Sequence, residues 1–507
     1  MSDPGSKQLT DLTRHSPRTR QPSEAIDSAI EEFKSQGVDL TGIFTGTGLQ
    51  AHAVFKLSSQ LSDQIEKKDV EAIALSLESL RVEIEKENAD VVTAVLLAAK
   101  TMHAFEPGVR VLRESSQQQS SQTLASFLYV YAKLLRLSST LREAFRETSQ
   151  VNNVGAIRVP LVHDNLLVQS AGLTLAGSLA TQDEAGKAVV MAMDPHEHIV
   201  SVLDASRGDD LFQRGVEAAT ALIVPLASAD DTTQPSSSAF ANARKLSQSG
   251  VSEALVASLR VIWSDSHEDT NPSMTMTATT CQLCTGIKLL AANDEICKEL
   301  VQELDLLNLL FVVLKSNMVH ADAGRQGQTV AVMASVMALL RQMMASDHVK
   351  HAVDTSEFIS IASHNLQMYI DEAYAPAADP GNKVLEHTLG TVSALCLRNP
   401  EASEAVVDSG CAQLILTAMQ IAVDRKDGYN SAGNDDRRAT GSTGANVGKS
   451  LRQGCMAVRN IASRSPHVRD VLRSYNAVQV IENCKVAAKT ACADVGDAAI
   501  RDVTNTS

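Results

Sequence analysis

The feature that most constrains this chain is a corner that recurs along it. Five apolar stretches end in a short polar step and then restart: Leu179-Ala-Thr-Gln-Asp-Glu-Ala-Gly-Lys187, Leu290-Ala-Ala-Asn-Asp-Glu-Ile-Cys-Lys298, Met343-Met-Ala-Ser-Asp-His-Val-Lys350, Leu395-Cys-Leu-Arg-Asn-Pro-Glu-Ala-Ser-Glu404 and Ile461-Ala-Ser-Arg-Ser-Pro-His-Val-Arg469. Each reads as a helix end, an N-cap and a new helix. Short polar side chains accept a backbone N–H at a helix start, and proline fits the first turn. Taken at the last residue of each string, the corners lie 111, 52, 54 and 65 residues apart. The first interval holds a further unit at Ile223-Val-Pro-Leu-Ala-Ser-Ala, and the last holds a long polar insertion. Weaker corners near Arg110 and Arg142 extend the series upstream.

Between corners, apolar residues recur at i, i+3, i+4 and i+7, the stripe of a half-buried helix. Aromatic residues make up only 3% of the chain, so the core is built from Ala, Leu, Val, Ile and Met, which suits helices better than sandwiches or barrels. Allowing for insertions, the unit is about 40–47 residues, the armadillo and HEAT period. The expected fold is therefore all-α: a right-handed α-solenoid of armadillo/HEAT-like repeats. Such a core grows along one axis, so 507 residues need not divide into several globular domains. About eight units account for the span 51–491.

Flanking segments follow from composition. Residues 1–22, with Pro4, Pro17 and Pro22, read as a disordered arm. Residues 23–50 hold an amphipathic helix with Ile26, Ile30 and Phe33 on one face, followed by a linker. That helix would dock on the main body or on a partner helix. Loops are expected at 229–238 and 427–449, both rich in Gly, Ser, Asn and Asp, and residues 492–507 form the last helix end and tail.

The segment Gly454-Cys-Met-Ala-Val-Arg-Asn-Ile461 resembles the third helix of an armadillo repeat, an Ala/Leu helix ending in Arg-Asn-Leu. More specifically, Ala29-Ile-Glu-Glu-Phe-Lys-Ser-Gln-Gly-Val-Asp-Leu-Thr-Gly-Ile43 resembles the N-terminal segment of the armadillo repeat-containing protein 6 family. Segments 297–353 and 395–400 continue the likeness in order and spacing. This resemblance implies a protein-interaction scaffold.

Chemistry is sparse. No P-loop, Rossmann fingerprint, nucleophile elbow, zincin motif or EF-hand loop is present, so no enzyme activity and no cofactor are expected. Cys281 and Cys284 have C-x-x-C spacing without a second pair, which leaves a thiol or zinc-dependent activity as a remote alternative. His348 and His351, beside Lys350, read as a solvated face. With a net charge of −15, no nucleic-acid partner is expected, and no apolar run of about 18 residues offers a membrane span. Lacking an apolar leader, the chain is expected in the cytoplasm, with the nucleus also open to it.

A solenoid presents one helix per repeat along a groove, so protein partners are the default ligands. Six residues before each corner's acid or proline lie Ser178, Lys288, Arg341, Ala394 and Asn460, and Ser178, Lys288, Arg341 and Asn460 are the expected groove residues. Importin-like transport adaptors, the alternative, repeat an Asn here and a Trp one turn earlier. Among these five positions there is one Asn, and the chain's single Trp263 reads as a packing residue. Lys288 and Arg341 among neutral neighbours suit an acidic or helical ligand.

Overall fold

The computed structural model describes residues 46–115, 119–148, 152–229, 238–263, 274–322, 326–371, 379–431 and 440–505. The arm 1–22, the helix expected at 23–36 and most of the 229–238 loop lie outside them. Every regular element among the described residues is helical. The chain divides into two compact units at Val202/Leu203.

In the first unit the helices come in threes. They are α1 (Gly46–Ala51), α2 (Ala53–Lys67) and α3 (Val70–Lys86), then α4 (Ala89–Ala98), α5 (Phe105–Glu114) and α6 (Ser120–Leu137), then α7 (Ser139–Glu147), α8 (Asn153–Leu161) and α9 (Leu166–Ala180). A 3-10 turn, Thr101–Ala104, joins α4 to α5. Like positions stack: α3 on α6 on α9, α5 on α8, and α4 on α7. The helices α10 (Glu184–Met191) and α11 (Pro195–Ser206) lead to the division, and α12 (Phe212–Ala227) lies beyond it.

The second unit continues the pattern. Its triplets are α13 (Ala239–Gln248), α14 (Val251–Ile262) and α15 (Met274–Leu290); α16 (Asp294–Gln302), α17 (Leu306–Asp322) and α18 (Gln326–Met343); α19 (Asp347–Ala352), α20 (Thr355–Ile370) and α21 (Asp379–Cys396). Two more follow: α22 (Pro400–Asp408), α23 (Cys411–Ser431) and α24 (Thr440–Ala462); α25 (Pro466–Ser474), α26 (Ala477–Ala487) and α27 (Lys489–Thr504). Third helices pack in series from α12 through α15, α18, α21 and α24 to α27, second helices from α17 through α20 and α23 to α26. A repeat of three helices whose like members stack is the armadillo-like form of an α-solenoid.

The corners are built as their residues imply. Asp183, Asn293 and Asn399 accept backbone N–H bonds from Gly186, Glu295 and Ala402 at 3.0, 2.9 and 3.2 Å. Four residues after the cap the side chain is buried every time: Arg142, Lys187, Cys297, Lys350, Ser403 and Arg469. Lys350 is therefore not part of a solvated face. Its Nζ donates to Asp347 Oδ1 at 2.8 Å and to the Leu397 carbonyl at 3.1 Å, ending in hydrogen bonds as a buried cation must. Arg142 donates to the Leu135 carbonyl at 2.8 Å, so the helix end of α6 is satisfied by the corner that follows it. Arg110, by contrast, sits within α5 and marks no corner.

The expected loop at 427–449 is also shorter, because α23 runs to Ser431 and α24 begins at Thr440. A Cβ on Gly448 would lie 3.6 Å from Ala491 Cβ and 3.9 Å from Ala488 Cβ, an ordinary contact distance, so small residues face one another where α24 meets the start of α27. Ser450 Oγ donates to the Asn382 carbonyl at 3.0 Å, pinning the same turn to α21.

Four aromatics come together. Phe105, Phe127, Tyr131 and Phe145 form one buried cluster in the first unit, with ring centroids 4.7–5.8 Å apart. Tyr131 Oη donates to the Thr101 carbonyl at 2.8 Å. Phe145→Ala should destabilise the protein by about 3–5 kcal/mol through its cavity, and Tyr131→Phe by only about 1 kcal/mol, the lost hydrogen bond. Denaturant titration followed by circular dichroism checks the ratio.

Candidate interaction surface

Sequence register and helix register agree: Ser178, Lys288, Arg341, Ala394 and Asn460 each lie two residues before the end of a third helix. The structure then separates them. Ser178, on α9 in the first unit, is fully buried; its Oγ donates to the Thr174 carbonyl at 2.8 Å and accepts from Arg136 Nε at 2.9 Å. It fastens α9 to α6 and cannot meet a ligand, which corrects its expected place in a groove. Asn460 is half-buried and spends its amide on α21, donating to the Ser393 carbonyl at 2.8 Å and to Ser393 Oγ at 2.9 Å.

Arg341 is shaped by a glycine. A Cβ on Gly390 of α21 would fall 2.7 Å from Arg341 Cδ and Nε, so the guanidinium stem lies across the space that glycine leaves open. From there Nη1 reaches Glu386 Oε1 at 3.7 Å. Lys288 is half-buried on α15 and makes no ion pair among the described residues. The positions one turn earlier hold buried Cys284, buried Met337, Gly390 and half-buried Met456. Trp263 is buried, its Nε1 donating to Thr280 Oγ1 at 3.0 Å, one turn before Cys284 on α15.

What sequence reading missed is His387. It lies on the same stripe of α21 as Gly390 and Ala394, one helical turn from each in succession. Burial, then the charges of Arg341, Lys288 and Lys383, hold its imidazole down to about 4. Cations from three successive third helices thus add to burial in disfavouring its charged form. Farther along, α24 adds exposed Lys449 and Arg452, without ion-pair partners among the described residues, and Arg459, 3.3 Å from Asp502. From α15 to α24 the third helices carry Lys288, Arg341, Lys383, Lys449, Arg452 and Arg459 against Asp379 and Glu386. In a chain of net charge −15, these four helices carry an excess of basic residues.

The first unit differs. A cleft of about 660 Å³ opens between α3 and α6, but its charges are internally matched: Arg81 lies 2.6 Å from Glu78 and 3.7 Å from Glu85, and Lys133 pairs with Glu85. Its last third helix, α9, carries no charged residue.

The thiols offer little reactivity. Burial pushes Cys281 and Cys284 above the ordinary thiol range, and a hydrogen bond with Ser335 only partly offsets this at Cys281. Protonated thiols are poor nucleophiles, so this environment does not activate either sulfur for attack. Among the described residues no three His, Cys, Asp or Glu side chains are grouped to hold a metal ion. No single helix among them is long and apolar enough to cross a membrane.

No known protein-family profile matches the chain, and no curated protein matches its sequence. Among solved structures it is similar to an engineered protein from a structural genomics programme, at 12% identity and a TM-score of 0.59, with 98% of each chain covered. That likeness concerns the fold. A chain from a study of a phosphorylation switch in the interaction of cadherin with β-catenin aligns at 14% identity and a TM-score of 0.48, covering 82% of this chain and 68% of that one.

Two predictions follow from the geometry. Because the folded state holds His387 neutral while an unfolded histidine titrates near 6.5, the unfolded chain binds more protons between about 4 and 6.5, and stability falls as pH drops through that window. His387→Gln should flatten that part of the melting-temperature profile. Gly390→Ala should fold with little change in melting temperature, since only a flexible side chain must move, but should displace Arg341 from Glu386. Trypsin cleavage after Arg341, quantified by mass spectrometry under native conditions, should rise.

Proposed function

We propose that the chain is a non-enzymatic protein-interaction scaffold whose second-unit third-helix face takes an extended acidic segment of a partner protein. The observation that carries this reading is the charge that Arg341, Lys288 and Lys383 bring to bear on His387, continued along α24 by Lys449 and Arg452. A row of like charges one repeat apart steers an acidic chain and fixes its register, because each carboxylate finds a cation on the next helix. Small side chains between the cations, Ala331, Ser335 and Ala338 on α18 and Ala394 on α21, leave room for a backbone to lie close. The N-terminal likeness to the armadillo repeat-containing protein 6 family and a cytoplasmic or cytoplasmic and nuclear location belong to the same proposal. An importin-like role would require a Lys-rich cargo on a face that repels it.

Fluorescence anisotropy with a Glu/Asp-rich and a Lys/Arg-rich peptide tests the reading. The acidic peptide should bind, and binding should weaken about tenfold in Lys288→Glu/Arg452→Glu and at high salt. Preference for the basic peptide, or affinity indifferent to both changes, would contradict it.

A further inference from the structure

Three sulfurs from three helices meet in the interior of the second unit. Cys455 of α24, Cys484 of α26 and Cys492 of α27 are all fully shielded from solvent. Cys455 shares hydrogen bonds with both of the others, so its sulfur stands within hydrogen-bonding reach of two more. The helices that carry them touch one another, α24 with α27, α26 with α27 and α24 with α26. Cys492 lies where α27 is close to both neighbours. Its chain neighbour Ala491 faces Gly448 of α24, where an added Cβ would lie 3.6 Å from Ala491 Cβ. One turn after Cys492, a Cβ on Gly496 would fall 2.7 Å from Lys485 Cγ and 3.4 Å from Ile481 Cγ2 of α26. Cys297 is nearly as buried, but it donates its S–H to the Ala291 carbonyl at 3.1 Å.

All eight cysteines are free thiols. The cluster of three is not grouped to hold a metal ion, so the chemistry left to sulfurs in contact is to pair. A disulfide would draw two of them from hydrogen-bonding distance to about 2 Å. Closed, the cluster is inert, because the hydrogen bond with Cys484 and burial hold Cys455 up to about 12 and leave little thiolate. Reaction therefore passes through local parting of the helices, which admits an oxidant and frees the thiol, and reclosing returns the partner sulfur.

We propose that Cys455 is a redox modification site, which a hydroperoxide converts into a disulfide with Cys492 or Cys484. The Cys455 thiolate attacks a peroxide oxygen, the O–O bond breaks, and the sulfur becomes a sulfenic acid while the departing hydroxide takes the thiol's proton as water. The neighbouring thiolate then attacks that sulfur, forming the S–S bond and releasing a second hydroxide, which takes the second proton. Two thiols and one hydrogen peroxide thus give one disulfide and two waters. The third thiol exchanges into the bond by attack on the Cys455 sulfur, with no further oxidant. Either link ties α24, with Lys449, Arg452 and Arg459, to the triplet that follows it.

The test treats the native full-length protein with hydrogen peroxide, alkylates it in denaturant and digests it with trypsin without reduction. Cys455, Cys484 and Cys492 fall in separate peptides, 453–459, 474–485 and 490–501, and Cys297 in 289–298. Peptide 453–459 should be found linked to one of the other two and released by dithiothreitol, while Cys297 stays alkylated. In Cys455→Ala both remaining thiols of the cluster should stay alkylatable. Amide exchange across α24 to α27 should slow about tenfold in the oxidised, unsubstituted chain. Cys455 still alkylated after peroxide, a Cys484–Cys492 link in Cys455→Ala, loss of Cys297 at the same rate, or unchanged exchange would overturn the proposal.

Discussion

The packing of third helix on third helix is the constraint on which the rest depends. A third helix has two flanks to bury, and only the third helices before and after it can cover them. Glycines and small residues appear where third helices approach, as at Gly448 against Ala491 and at Gly390 against Arg341. Polar residues near the same seams are drawn into fastening them: Ser178 to Arg136, Asn460 to Ser393, and Thr391 to the Met337 carbonyl. In the proposed function, the partner meets the remaining stripe of each third helix.

Much of the fold was legible because its signals are local. Asp183, Asn293 and Asn399 cap helices wherever they occur, and an apolar stripe states its own period. The site was less legible, for physical reasons that particular residues make plain. Register placed Ser178, Lys288, Arg341 and Asn460 correctly at the ends of third helices. Nothing in sequence says that Arg136 reaches over Ser178, or that Gly390 opens the space in which Arg341 lies. Likewise the Gly- and Ser-rich run 440–449 has the composition of a loop, yet it forms the start of α24.

Lys350 carries the same lesson with the sign reversed. A lysine between two exposed histidines looks solvated, yet its position four residues after a cap sends it inward to the Leu397 carbonyl. Position in the repeat outweighs residue type there. His387 shows the complementary case, a residue with no motif around it that reports where three helices bring their charges together.

The central claim is that the second unit gathers positive charge on its third helices within an acidic chain. The most direct measurement is the titration of His387 by NMR, assigned by difference with His387→Gln and repeated in Lys288→Gln and Arg341→Gln. The account predicts a midpoint near 4 that rises in each variant as a cation is removed. A midpoint at or above the ordinary histidine value, or one unmoved by either substitution, would contradict it.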